Sequence, residues 1–201
     1  LIFSNMNDVF SSYLLRSPDS PENLFMSKDL KSILSKEKHN RLDFAFGHTR
    51  MNTDGSSYLL GNNQPLIENN KLVVFNGIIV NACDLDIKED QNDGYAILRK
   101  GDQKSFCEKA NGMMNYIYFN MKNSQVSLFT NSGSMYVDDI KKPSIVVSEP
   151  TFSEKGTNQF PLNEEYSFSV CDGSLINDIK IVEVQPTNEP VVVSNVNYSK
   201  K

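Results

Sequence analysis

The sequence predicts a layered α+β domain. Helical patterns come early, strand patterns lie on both sides of them, and the second half of the chain reads as strands separated by polar turns. LIFSN, at Leu1–Asn5, is apolar and β-prone, as a first strand or the end of one. A helix follows, with Asn5 or Asn7 as its cap and Val9, Phe10, Tyr13 and Leu14 on one face. RSPDSP ends it, since Pro18 and Pro21 break regular structure. Ser27 opens a second helix in which Leu30, Ile33 and Leu34 recur at helical spacing. LDFAFGHTRM reads as a strand, and a polar loop runs from Asn52 to Pro65. KLVVF is a buried strand that enters the Asn76–Gly77 pair, a strong hairpin-turn signal, and GIIV leaves it.

The acidic stretch DLDIKEDQND precedes a helix over YAILRK. Another helix runs through KSFCEKA and stops at Asn111–Gly112. MNYIYFN and QVSLFTN are strands flanking a polar turn, and SIVVS is a third after Pro143. EEYSFSV is expected to pair with LINDIKIVEV across Asp172–Gly173. There is no internal repeat. Residues 1–185 form the expected domain, and 186–201, with two prolines and a Lys-Lys end, an extension or linker.

Length, charge and cysteine content narrow the function classes. A chain of 201 residues buries a real core and reads as one domain, two at most, and 39% apolar and 22% charged residues are ordinary for a globular protein. A net charge of −5 without a basic block argues against nucleic-acid or anionic-membrane binding. No apolar run approaches membrane-span length, and no basic–apolar–small signal pattern opens the sequence. Cys83, Cys107 and Cys171 are widely spaced and only His39 and His48 accompany them, so no metal cage is expected; reduced, buried thiols in a cytoplasmic protein are.

Three segments, in order along the chain, resemble the glutaminase domain of class II glutamine amidotransferases, members of the N-terminal-nucleophile hydrolases. FGHTRMNTDGSS with GNNQP resembles the GHTR and N-x-QP segments of the phosphoribosyl-amine and hexosamine branches. VVFNGIIVN resembles the V-x-NG-x-x-x-N strand, and LLRSPDSPENLF resembles the RGPD stretch of the asparagine-synthetase branch, with Ser17 where glycine is usual. NDGYAIL, NGMMNYIYFN and SIVVSEP are similar to the S-D-T-E-x-x-L, NGMFAFAIYD and SSEP segments. The resemblance spans about Leu1 to Val184. It implies a four-layer α/β/β/α sandwich and a domain that hydrolyses glutamine to glutamate without a cofactor. Ammonia would pass to an acceptor site on a synthase subunit or domain.

The chemistry of the matched residues agrees. Arg50 has the planar fork to grip an α-carboxylate, and Thr53 adds a hydroxyl; a surface arginine and a loop threonine are the plainer alternatives. Asp93 stands where the family places the acid that binds the substrate's ammonium group, although Asp84, Asp86, Glu89 and Asp90 crowd nearby as a solvated acidic loop would. Asn76 and Gly77 match an oxyanion hole, the side-chain amide and the backbone N–H converging on the developing charge. His48 is read as scaffold and Asp54 receives no role.

The resemblance implies an N-terminal cysteine nucleophile whose α-amino group is the base. No cysteine opens this sequence, and LIFSN matches the continuation of the family's opening strand, so the nucleophile is expected a few residues ahead of Leu1. Two other readings stand beside the enzyme: a noncatalytic glutamine-binding or assembly module lacking the nucleophile, and an unrelated α+β binding domain.

Overall fold

The computed structural model describes residues 2–4, 10–16, 21–45, 47–48, 60–141, 143, 145–152, 157–169 and 179–183. They form a mixed α+β fold with a mainly antiparallel sheet content and a few short helices. One sheet joins β1 (Ile2–Ser4), β2 (Phe10–Arg16), β3 (Arg41–Phe44) and β12 (Ile179–Glu183) in the order β12-β2-β1-β3. Its β12–β2 pair is parallel and the others antiparallel. The second sheet contains β4 (Leu66–Glu68), β5 (Lys71–Ile79), β6 (Gly112–Asn120), β7 (Gln125–Thr130) and β11 (Glu165–Ser169), ordered β11-β7-β6-β5-β4 and wholly antiparallel. Three short strands, β8 (Tyr136–Val137), β9 (Val146–Val147) and β10 (Asn158–Gln159), make a small third sheet. The helices are α1 (Pro21–Met26), α2 (Lys28–Lys36), α3 (Tyr95–Arg99) and α4 (Gln103–Lys109).

The five-stranded sheet is buried on both faces. Val73, Phe75 and Ile79 of β5 share one face with Met114 and Tyr116 of β6 and Phe129 of β7. That face packs on Ala96, Ile97 and Leu98 of α3 and Phe106 of α4. Leu72, Phe119, Val126 and Leu128 look the other way and cluster with Leu14 of β2 and with Met135, Val137 and Phe160 around the third sheet. Double-sided burial explains why KLVVF shows no polar alternation.

Four expectations change here. Residues 10–16 form β2, not a helix. Tyr13 meets Ile33 of α2 while Leu14 joins the cluster containing Leu72, so neighbouring side chains serve opposite faces of a strand. The apolar spacing that suggested a helix is equally that of a short strand covered on both sides. Asn76–Gly77 is not a turn, because β5 runs unbroken from Lys71 to Ile79 beside β6. The EEYSFSV segment pairs with β7, and the IKIVE segment joins β2 in the other sheet, so the two do not form a hairpin. Cys83 is exposed rather than buried, while Cys107 is half-buried; both are free thiols, and Cys171 lies outside the described residues.

Several expectations agree with the structure. Ser27 caps α2, its hydroxyl accepting the Leu30 N–H at 3.1 Å, and Leu30 and Ile33 are buried, although Leu34 is 49% exposed. The YAILRK and KSFCEKA helices are α3 and α4; α4 ends at Lys109 with Ala110 as its C-cap, two residues before the expected stop at Asn111–Gly112, and Gly112 begins β6. The extension after residue 185 lies outside the described residues. Among the described residues, no helix is long and apolar enough to cross a membrane.

Candidate functional site

The candidate site lies along the edge of β5 that β4 leaves uncovered. In an antiparallel strand, alternate residues turn their backbone N–H and C=O to the same side. β4 covers β5 only as far as Val73. Beyond it, side chains replace the missing strand. Gln64 spans Phe75, donating to its carbonyl at 2.7 Å and accepting its N–H at 2.5 Å. Asp93 Oδ2 accepts the N–H of Ile79 at 2.7 Å. Gly77 lies between these two anchors, and the alternation directs its N–H to the same edge.

The chain on either side of Asp93 is held by a pair of asparagines. Asn92 donates its backbone N–H to Asn62 Oδ1 at 3.0 Å, and its side chain donates to the Asn62 carbonyl at 3.1 Å. Asn62 also donates to the Asp90 carbonyl at 2.8 Å. Asn92 Oδ1 accepts the Gly94 N–H at 2.9 Å, turning the chain into α3. Asn62, Asn63, Asn92 and Asp93 are all buried. Asp84, Asp86, Glu89 and Asp90 are exposed, so Asp93 is set apart from the solvated acidic run that precedes it.

Asn76 is exposed and Gly77 half-buried. The register places Asn76 opposite Asn115, which in turn faces Thr130. This makes a polar row on the face that elsewhere carries Leu72, Phe119 and Leu128. Asn115 donates to the Asn76 carbonyl at 2.8 Å and accepts from the Thr130 hydroxyl at 2.5 Å and the Ser132 hydroxyl at 2.7 Å. Gly77 is required sterically. Its φ is +156°, and a Cβ there would lie 1.9 Å from the Met113 carbonyl oxygen.

Neither a family model nor a curated protein sequence matches this chain.

Asn76, Gly77 and Asp93 therefore gather on one stretch of β5, while Arg50, Thr53 and Asp54 lie outside the described residues. His48 is half-buried. Among the described residues, no three His, Cys, Asp or Glu side chains group as a metal site. Sequence reading missed the supporting side chains. Gln64 was visible only as part of GNNQP. Asn115 carried a usable signal: it is in phase with Ile117 and Phe119 in MNYIYFN, and a polar residue on an inward face calls for a partner.

Proposed function

We propose that this chain is the glutaminase domain of a class II glutamine amidotransferase, hydrolysing glutamine to glutamate and supplying ammonia to an acceptor on a synthase subunit or domain. The observation that carries the reading is the edge of β5. A buried carboxylate at Asp93 and the Asn76–Gly77 peptide, matched to the family in separate segments of sequence, converge there. Packing supports the four-layer α/β/β/α arrangement: Ile33 of α2 meets Tyr13, Leu14 on β2 joins Leu72, and the far face of the five-stranded sheet meets α3 and α4.

In this reading Arg50 and Thr53 hold the substrate's α-carboxylate, and Asp93 its ammonium group. A cysteine ahead of Leu1 attacks the side-chain amide carbon, and its α-amine takes the thiol proton. The oxyanion is met by the Asn76 side chain and the Gly77 N–H, donors whose individual loss costs about 2.7–4 kcal/mol of barrier. The α-ammonium returns that proton to the leaving nitrogen as the tetrahedral adduct collapses, expelling ammonia and leaving a glutamyl thioester, which water hydrolyses to glutamate and free thiol. The three cysteines within the chain offer no free α-amine, so the reading calls for the upstream residue and for the reducing cytoplasm that keeps it a thiol.

Glutamate release from glutamine, with covalent labelling by a glutamine-analogue electrophile, tests the proposal on the full-length protein. Arg50→Ala is expected to raise KM strongly, and Asn76→Ala to lower kcat with little change in KM. Unaltered kinetics in both variants would remove the assigned roles. Glutamine binding without turnover or labelling identifies a noncatalytic module, and no binding at all identifies an unrelated α+β domain.

A further inference from the structure

Resting on the glutaminase reading, we infer that Asn115 is a positioning residue for the oxyanion hole, holding the Asn76–Gly77 peptide so that the Gly77 N–H is aimed at the reacting carbonyl. The C=O of Asn76 and the N–H of Gly77 belong to one planar trans unit and point in opposite directions. Fixing the carbonyl therefore fixes the donor. Asn115 Nδ2 does so at 2.8 Å, from the neighbouring strand.

The clamp is itself locked. Thr130 Oγ1 accepts the Gly133 N–H at 3.0 Å and the Ser132 N–H at 3.3 Å, which leaves its hydrogen for Asn115 Oδ1. Ser132 supplies a second hydroxyl to the same oxygen at 2.7 Å. Rotating the Asn115 amide by half a turn would set its NH2 against the Thr130 donor and its oxygen against the Asn76 carbonyl. Thr130 is fully buried and Asn115 is 7% exposed, so water does not readily substitute for a misplaced partner. Gly77 has no side chain to restrict its own peptide, and this makes an external clamp effective there.

The test is initial-rate glutaminase kinetics on the full-length protein, with Asn115→Asp replacing the amide donor by an acceptor of the same shape. Misaiming one oxyanion donor is expected to lower kcat by roughly 10- to 100-fold, with KM within about twofold. Ser132→Ala, a milder change at an exposed position, is expected to lower kcat by about two- to fivefold and carries the test if Asn115→Asp does not fold. The amide cross-peak of Gly77 in a 1H–15N NMR spectrum is expected to move in each folded variant, a response that a merely space-filling asparagine would not give. Wild-type kcat with an unmoved Gly77 resonance overturns the inference while an active wild-type leaves the glutaminase reading standing. A wild-type protein that releases no glutamate overturns both.

Discussion

Gly77 shows how one residue type serves two architectures. Asn-Gly is a turn signal because glycine reaches backbone angles that other residues avoid. Here the same freedom lets β5 approach β6 so closely that a methyl group would meet the Met113 carbonyl oxygen at 1.9 Å. Gly112 mirrors it, its φ of +147° bringing the position of a Cβ to 1.9 Å from the Ile78 carbonyl oxygen. Gly77→Ala is accordingly expected to destabilise the fold by at least about 2 kcal/mol, since backbone on both strands must move. Gly101, which has nothing within 4 Å of an added Cβ, provides the contrast. Urea unfolding of Gly77→Ala and Gly101→Ala measures the difference, and equal midpoints would show that the close approach relaxes without cost. The two residues Asn76 and Gly77 were legible as a pair of interest from sequence. Their setting within a strand was not, because the feature that decides it is the partner strand, distant in the chain.

At the scale of elements, local chemistry predicted best where an element is stabilised from within. The Ser27 cap and the spacing of Leu30 and Ile33 are written into α2 itself. β2 was misread as a helix and β11, though read as a strand, was given the wrong partner: β2 lies between its neighbour β1 and the remote β12, and β11 adds to the remote β7. The link between α3 and β4 is of the remote kind too. Arg99 grips Glu68 with a bidentate fork, both contacts at 2.9 Å, and also donates to the Asp86 carbonyl at 3.0 Å. That hydrogen bond holds the Glu68 carboxyl below its ordinary value of 4.5, with the Arg99 and Lys71 charges adding to it against the opposing effect of burial. The unfolded chain therefore takes up a proton at Glu68 before the folded chain does. The pair's contribution is present in full above pH 4.5 and is lost as pH falls through the lower folded value. Solvent reaches both side chains, so the contribution is modest. Glu68→Gln is expected to flatten the acid limb of a stability–pH curve and to leave its slope near neutrality unchanged. An acid limb identical to wild type would show that the pair is broken in solution.

Across the whole molecule, one cation, Lys100, ties the face of the five-stranded sheet opposite the polar row to both α3 and α4. Lys100, between α3 and α4, has a side chain only 6% exposed and donates to the Tyr116 hydroxyl at 2.7 Å and to Glu165 of β11 at 2.9 Å. It also bonds Gln103, and its ammonium lies 4.7 Å from the ring centroid of Tyr116 and 5.3 Å from that of Tyr118. Burial lowers the Lys100 pKa while Glu165 works against that shift, so the ion pair offsets a desolvation cost instead of adding freely to stability. Removing one partner and removing both should then differ. Lys100→Met, Glu165→Gln and the double variant form a cycle whose coupling energy is expected at about 1–3 kcal/mol, read from urea unfolding. Strict additivity would mean that the Lys100–Glu165 pair adds nothing to the other contacts that hold the helices to the sheet. A coupling of that size would make Lys100 a link between the consecutive helices α3 and α4 and the edge strand β11, remote from them in sequence.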